Sequence, residues 1–219
     1  MWTAYMVDVG RFAYAHRKTD FNDFFNPYRK YEARYLLYNY IIDRERLDKQ
    51  KVAYLEFGVS KGFSLKHWSE RLKNEQSRLF GFDTFKGLPE AWGSYKMGDM
   101  SAGMQEISTE DARVHLIKGL FQETLTSWLG QHDISKYDRR VIHLDADLYS
   151  STLYVLTVIF PFLKIGDIIF FDEFNVPLHE FKAFDDFCKA YYTEFELLGT
   201  VNNYFQVAMK YKGQKLPEI

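Results

Sequence analysis

Short apolar runs alternate with helical patterns along the chain after residue 51. The apolar runs predict buried strands over residues 52–56, 79–83, 114–118, 141–145 and 168–172. Between them, apolar residues recur at helical spacing, as at Leu65, Trp68 and Leu72. Strands that alternate with helices are typical of βαβ units, so the pattern predicts an α/β fold with a mostly parallel sheet.

The C-terminal part of the chain shows a different pattern. A helix is predicted over residues 181–192, and two β-like runs follow at 195–200 and 204–211. The runs are separated by Val-Asn-Asn, which is compatible with a hairpin turn although it is a weaker signal than Asn-Gly. We therefore expect an antiparallel hairpin to close the parallel sheet.

The first 50 residues are rich in aromatic and charged side chains and show no strand-like alternation. Tyr31, Tyr35, Tyr38 and Ile42 recur at helical spacing, which predicts a helix within residues 27–47. Most of these tyrosines are expected to pack on the sheet, while a minority could line a substrate cleft. We treat residues 1–50 as a helical, aromatic segment that serves as a lid or as an oligomer contact, so a homo-oligomer is possible.

Four apolar runs end on an acidic residue, namely Glu56, Asp83, Asp145 and Asp172. A carboxylate is costly to bury unless it is paired or bound to a ligand. In open parallel sheets, ligands bind at the carboxyl ends of the strands. The pattern therefore predicts a polar, ligand-facing edge of the sheet that holds a hydroxyl-rich or cationic ligand.

Composition and charge narrow the class of protein. The chain of 219 residues suits one substantial core, and its net charge of −2 gives no electrostatic footprint for nucleic acid. Cys188 is the only cysteine, which excludes a disulfide framework and a cysteine-type zinc site. No apolar run approaches the roughly 18 residues of a membrane span, and the N-terminus lacks a secretory pattern. We expect a cytoplasmic protein without a membrane or nucleic-acid partner.

Two glycines four residues apart, Gly58 and Gly62, separate the first predicted strand from a helix. Glycine allows a ligand to approach the backbone closely, and a helix N-terminus offers unpaired N–H groups to an anion. The spacing alone also suits an ordinary tight turn. Asp83 strengthens the case for a ligand, because an acid at the end of the next strand binds ribose hydroxyls in nucleotide sites.

Four segments carry a resemblance to a known family: LEFGVSKG at 55–62, GFDTFKGLPE at 81–90, KGLFQETL at 118–125 and HLDADLYSST at 143–152. Over about residues 50–210 the chain resembles class I S-adenosylmethionine-dependent methyltransferases, and specifically the macrocin-type sugar O-methyltransferases (TylF/MycF family). The resemblance implies a Rossmann-like, seven-stranded, mostly parallel sheet with a C-terminal antiparallel hairpin and helices on both faces. It assigns residues 51–219 to a methyltransferase domain.

The resemblance also implies the cofactor contacts. Gly58 and Gly62 would form the turn under the methionine end of S-adenosylmethionine, and Glu56 would support its ammonium or the turn itself. Asp83 would bind the ribose hydroxyls, and Phe121 would either face the adenine or belong to the core. The full implied set is Glu56, Gly58, Gly62, Ser64, Asp83, Thr84, Gly119, Phe121 and Asp145.

Three carboxylates, Asp145, Asp172 and Glu173, are expected to meet because adjacent strands end on them. Crowded carboxylates repel each other unless a cation or a proton intervenes, and oxygen ligands suit Mg²⁺ or Ca²⁺. The resemblance implies Mg²⁺, although the family often has Asp-Asp in place of Asp172-Glu173. Alternatively, backbone N–H groups could satisfy these acids.

Methyl transfer to oxygen requires alignment of the acceptor and removal of its proton. Asp145 or Asp147 is the predicted base, and His179 is a further candidate if the loop after Asp172 folds inward. We therefore predict a Mg²⁺-dependent O-methyltransferase acting on a hydroxyl of a small molecule, a sugar or a glycosylated natural product. The alternatives are a catechol-type O-methyltransferase and a catalytically silent S-adenosylmethionine-binding protein.

The longest irregular stretch covers residues 84–112 and contains several glycines together with Met97, Met100 and Met104. Loops of this length are uncommon unless they are functional or disordered. Methionine suits adaptable apolar contacts, so the stretch is either a mobile lid over the ligand or a rigid surface loop.

Overall fold

The fold is a single sheet flanked by helices, seen in a computed structural model that describes residues 2–90, 95–99, 101 and 110–217. The strands are β1 (Phe21–Asn22), β2 (Val52–Phe57), β3 (Arg78–Asp83), β4 (Val114–Lys118), β5 (Arg139–Leu144), β6 (Ile168–Phe171), β7 (Thr193–Val201) and β8 (Gln206–Gln214). The helices are α1 (Trp2–Ala15), α2 (Ala33–Glu45), α3 (Phe63–Arg71), α4 (Phe121–Gln131), α5 (Tyr149–Ile159) and α6 (Glu180–Tyr191).

The strand order is β1-β7-β8-β6-β5-β2-β3-β4. β8 runs antiparallel to β6 and β7, and the other pairings are parallel. The predicted fold class is therefore confirmed. The described sheet has eight strands rather than seven, because β1 pairs with β7 through Phe21 and Asn22 alone, too short a run to show a pattern in the sequence.

Apolar side chains form one cluster on each face of the sheet. Along β2, Val52 and Tyr54 belong to one cluster while Ala53 and Leu55 belong to the other, as the alternation of side chains in a strand requires. Helices α2 and α3 pack on the first face, and α4, α5 and α6 pack on the second. Both faces are thus covered, which leaves the strand ends as the place for a site.

Hydrogen bonds join the N-terminal segment to the loop between β7 and β8. The Asp23 carboxylate accepts the N–H groups of Asn202 and Asn203 at 2.8 and 3.1 Å. The Asn202 side chain bonds both backbone groups of Lys30 at 2.9 Å, and Asn203 accepts the N–H of Asn26 at 2.8 Å. These bonds fix the chain that leads into α2. A lid or oligomer role for residues 1–50 stays a prediction.

Part of the predicted lid lies outside the described residues, including Met100 and Met104. Near its start, Gly87 and Leu88 are described: the backbone of Leu88 pairs with Gly98 and Asp99 at 2.9 Å. Among the described helices, none has the length and apolar character to cross a membrane.

Candidate active site

The turn after β2 brings two backbones into contact at Gly58. This residue has φ +96°, in the left-handed region that favours glycine. A Cβ atom there would lie 1.8 Å from the carbonyl oxygen of Asp145. Any other residue would force the ends of β2 and β5 apart, so glycine is required for this approach.

Asp83, the last residue of β3, shapes the same turn. Its Oδ2 accepts the N–H groups of Val59 and Ser60 at 2.9 and 2.8 Å, and its Oδ1 accepts the N–H of Phe85 at 2.7 Å. The carboxylate therefore holds the turn and the start of the next loop together. It also lines the cavity, so the same group can face a ligand.

A cavity of about 520 Å³ opens at the carboxyl edge of the sheet. Its described lining comprises Arg29, Tyr31, Gly58, Ser60, Asp83, Thr84, Gly87, Leu88, Pro89, Tyr95, Leu120, Phe121, Gln122, Asp145, Ala146, Asp147, Ser151, Glu173, Val176 and Phe205. The volume lies in the range of small-molecule sites, and the lining combines apolar walls with a few carboxylates, as in such sites.

The predicted cofactor residues divide between the cavity wall and the layer behind it. The lining includes Gly58, Asp83, Thr84, Phe121 and Asp145, whereas Glu56, Gly62, Ser64 and Gly119 are not among the described lining residues. Glu56 is fully buried and accepts hydrogen bonds from the hydroxyls of Ser64 and Tyr54. It therefore contacts the first turn of α3 rather than the cavity.

A buried chain of hydrogen bonds runs from Glu56 to Asp172. Tyr54 donates to Glu56 at 2.7 Å and lies 2.7 Å from Nδ1 of His143. Nε2 of His143 lies 3.1 Å from the Tyr38 hydroxyl, which donates to Asp172 Oδ1 at 3.1 Å. Burial raises the pKa values of both tyrosines well above their usual range, so they remain neutral links. These hydrogen bonds connect Glu56, behind the glycine turn, to Asp172 at the end of β6.

Asp172 is fully buried, and its oxygens face donors from the N-terminal segment. Its Oδ2 accepts the Tyr31 hydroxyl at 3.0 Å and Nη1 of Arg34 at 3.3 Å. Burial acts to raise the pKa of Asp172, but His143, whose Nε2 lies 3.8 Å from Oδ1, and the charge of Arg34 outweigh it and lower that pKa. Asp172 is therefore an anion satisfied by protein groups.

Glu173 points to the other side and pairs with Asp147. Burial, followed by the interaction with Asp147, raises the pKa of Glu173 to about 12. Without a cation Glu173 is thus protonated at neutral pH, and burial also raises the pKa of Asp147. Burial and the charges of Asp172 and Asp147 raise the pKa of Asp145 in turn. Three carboxyl groups with raised pKa values therefore lie at the cavity wall.

The three predicted metal ligands separate into two groups. Asp145 and Asp172 group with His143, while Asp145 and Glu173 group with Asp147, each group having its oxygen or nitrogen atoms within 4.8 Å of one another. Asp172 does not fit a cation, because hydrogen-bond donors surround both of its oxygens. The other group fits one, since it offers oxygen ligands at the cavity and Glu173 Oε2 is buried without a hydrogen-bond partner.

Sequence reasoning missed Arg34 as a site residue and left the role of Tyr31 open. Arg34 precedes Tyr38 by four positions and follows Tyr31 by three, so it lies on the helix face that packs on the sheet. An arginine on an apolar face needs an acidic partner, and that was the available signal. His179, the third candidate base, precedes α6 and is absent from the described lining of the cavity.

The sheet, the glycine turn and the acid that follows the next strand define an α/β fold of the kind that binds nucleoside-type ligands at its carboxyl edge. The family model described as "Methyltransferase domain" matches residues 55–174, more than half of the chain, and the chain belongs to this family. No curated protein matches the sequence.

Several solved structures share the fold. CalS11, a calicheamicin methyltransferase described elsewhere as a TDP-rhamnose 3'-O-methyltransferase, has TM-score 0.63 and 23% identity over 83% of this chain and 80% of its own. The O-methyltransferase NovP has TM-score 0.62 and 15% identity over 97% and 99%. The SAH-bound methyltransferase PaMTH1 of Podospora anserina has TM-score 0.53 and 14% identity over 96% of both chains. These likenesses show the Rossmann-like methyltransferase fold.

Proposed function

We propose that the protein is an S-adenosylmethionine-dependent O-methyltransferase that acts on a hydroxyl of a small molecule, a sugar or a glycosylated natural product. The carrying observation is that Asp145, Asp147 and Glu173 line the same cavity as the Gly58 turn and Asp83. Membership of the methyltransferase family supports methyl transfer. The descriptions of CalS11 and NovP as O-methyltransferases support an oxygen acceptor.

The cofactor end of the cavity suits a nucleoside. Asp83 is oriented by three backbone N–H groups and presents its carboxylate to the cavity, where it can accept hydrogen bonds from a ribose diol. Phe121, at the start of α4, packs edge-to-face on Phe57 with ring centroids 5.3 Å apart and gives this end an apolar wall. When bound, S-adenosylmethionine supplies an electrophilic methyl group.

The acceptor end supplies the base. Asp147 lines the cavity and has a raised pKa, which brings its basicity closer to what proton removal from a hydroxyl requires. Its backbone has φ +59°, and such strained positions occur often at functional sites. We infer that Asp147 takes the acceptor proton at a carboxylate oxygen, with Asp145 beside it to orient the hydroxyl.

A magnesium ion is part of the proposal, with ligands that differ from the expected set. Asp145, Asp147 and Glu173 would hold it, whereas Asp172 is engaged by Tyr31, Tyr38 and Arg34. A bound Mg²⁺ would lower the pKa of the acceptor hydroxyl.

The test is a methyl-transfer assay that follows S-adenosylhomocysteine over a panel of free deoxysugars, nucleotide-linked deoxysugars and catechols, in Mg²⁺ and in EDTA. We expect turnover on a sugar hydroxyl, at least tenfold slower in EDTA and in Asp147→Asn. Asp133→Asn, a surface change at a carboxylate that accepts the Ser135 N–H at 2.9 Å, is the control and should leave turnover unchanged. Turnover on catechols alone would contradict the sugar assignment. Tight cofactor binding with no turnover on any acceptor would contradict an enzymatic role.

A further inference from the structure

Arg34 lies between two acids at the ends of adjacent strands. Its Nη1 is 3.3 Å from Asp172 Oδ2 and 3.6 Å from Asp145 Oδ2. The Arg34 side chain is 7% exposed and that of Asp172 is 0% exposed, so water screens this interaction poorly. Arg34 thus contacts one acid that is hidden behind the cavity and one that lines it.

The guanidinium is held rigidly in this position. Nη1 donates to the Tyr31 hydroxyl at 2.6 Å, and the guanidinium carbon lies 4.0 Å from the centre of the Tyr31 ring. Nη2 donates to the Tyr35 hydroxyl at 3.3 Å. Tyr31, just before α2, and Tyr35, within α2, therefore orient the charge toward Asp145 and Asp172.

The carboxylates of Asp172, which is fully buried, and Asp145, which is partly buried, have oxygens within 4.8 Å of each other. Such a pair needs a positive charge, because each carboxylate disfavours ionisation of the other. In an all-oxygen metal site a divalent cation supplies it. Here an arginine supplies it, and an arginine keeps its charge at any pH a protein experiences. The guanidinium and a metal ion cannot occupy the space between the same two oxygens.

We propose that Arg34 is the resident cation of the Asp145–Asp172 pair, in the position that a divalent cation would otherwise take. Arg34 is then a positioning residue: it holds the Asp145 carboxylate at the cavity wall, while Asp172 anchors Arg34. Only the use of Asp145 in catalysis rests on the proposed function. The occupancy of the pair by Arg34 does not depend on it.

The first test measures Mn²⁺ affinity by calorimetry and by electron paramagnetic resonance of the free ion. Removing the charge in Arg34→Met should open a cation site and tighten Mn²⁺ binding at least about tenfold, since a like charge within 4 Å is strongly repulsive at low dielectric. Adding Asp172→Asn to that variant should abolish the gain. Arg34→Lys keeps a charge and should show no gain. Arg71→Met, which breaks the exposed pair with Asp43, is the control and should behave as wild type.

The second test needs no change at Arg34, so it holds even if Arg34→Met does not fold. In the otherwise unchanged protein, Asp172→Asn should leave Mn²⁺ affinity within about twofold, because an asparagine there removes no metal ligand. Loss of Mn²⁺ binding in Asp172→Asn, or no gain in folded Arg34→Met, would overturn the proposal. Both readouts are independent of turnover, so an absence of methyl transfer would count against the proposed function alone.

Discussion

Replacing Asp83 with asparagine should weaken cofactor binding by two routes. The carboxylate accepts three backbone N–H groups, from Val59 and Ser60 at one oxygen and from Phe85 at the other. Asparagine has a single acceptor oxygen, and its amide N–H₂ would face a backbone N–H. The substitution therefore loosens either the glycine turn or the loop after β3, and it also removes the charge that would face the ribose.

The structure sets the expected size of the loss. A hydrogen bond to a charged group contributes about 1.5–3 kcal/mol when buried, and Asp83 is only partly buried. Weakening two such bonds to a ribose diol should cost about 2–4 kcal/mol, or about 30- to 700-fold in Kd. The disrupted backbone bonds should lower the free energy of unfolding by about 1–3 kcal/mol, which leaves the protein folded at room temperature.

The measurement is calorimetric titration of S-adenosylmethionine and S-adenosylhomocysteine into Asp83→Asn, with a thermal melt to confirm folding. Asp133→Asn serves again as the control, since Asp133 accepts a backbone N–H in a surface turn and is not among the described lining residues. An unchanged Kd in folded Asp83→Asn would refute the placement of the ribose at Asp83.

Two further predictions follow from the cavity wall. Gly58→Ala places a Cβ 1.8 Å from the Asp145 carbonyl oxygen and should abolish cofactor binding in the same titration. The control is Gly98→Ala, at φ +88° in open space, which should preserve cofactor binding. Cofactor binding in both variants would show that the turn at Gly58 can shift. Glu173 keeps its proton in the folded state to about pH 12, while the unfolded chain releases it near 4.5, so the free energy of unfolding falls as pH rises between these values. Urea unfolding in EDTA should therefore show Glu173→Gln to be more stable than wild type at pH 9, with the difference vanishing near pH 4. If the free energy of unfolding changed with pH equally in both proteins, Glu173 would not be protonated in the folded state.

The strands and the ligand-facing edge could be predicted because they depend on local pattern. Apolar runs ended by acids placed Asp83, Asp145 and Asp172 at the carboxyl edge, and the structure has them at the ends of β3, β5 and β6. No bounds were predicted for helix α1 within the helical segment of residues 1–50, although Tyr5, Val9 and Phe12 recur at helical spacing and pack on the core. The other positions of α1 mix polar and apolar residues, so the helical pattern is weak in the sequence.

The arrangement of the acids could not be predicted from the same pattern. Asp172 and Glu173 are consecutive residues leaving a strand, so their side chains point to opposite sides, one toward α2 and one toward the cavity. Strand-end spacing alone made them appear to share a site. Arg34 and Asp172 are 138 positions apart in the sequence. Helical periodicity identifies the buried face of α2 but not the residue that this face contacts.

The bonds between Asp23–Lys30 and the Asn202–Asn203 loop impose an order on assembly during translation. The glycine turn, Asp83 and Phe121 all leave the ribosome well before the C-terminal hairpin that fixes the chain entering α2. Contacts this distant in sequence form late, because the whole intervening loop must be closed. The residues of the nucleoside-binding half are therefore synthesised first, and the bonds that fix residues 23–30 form only after β7 and the Asn202–Asn203 loop have been synthesised.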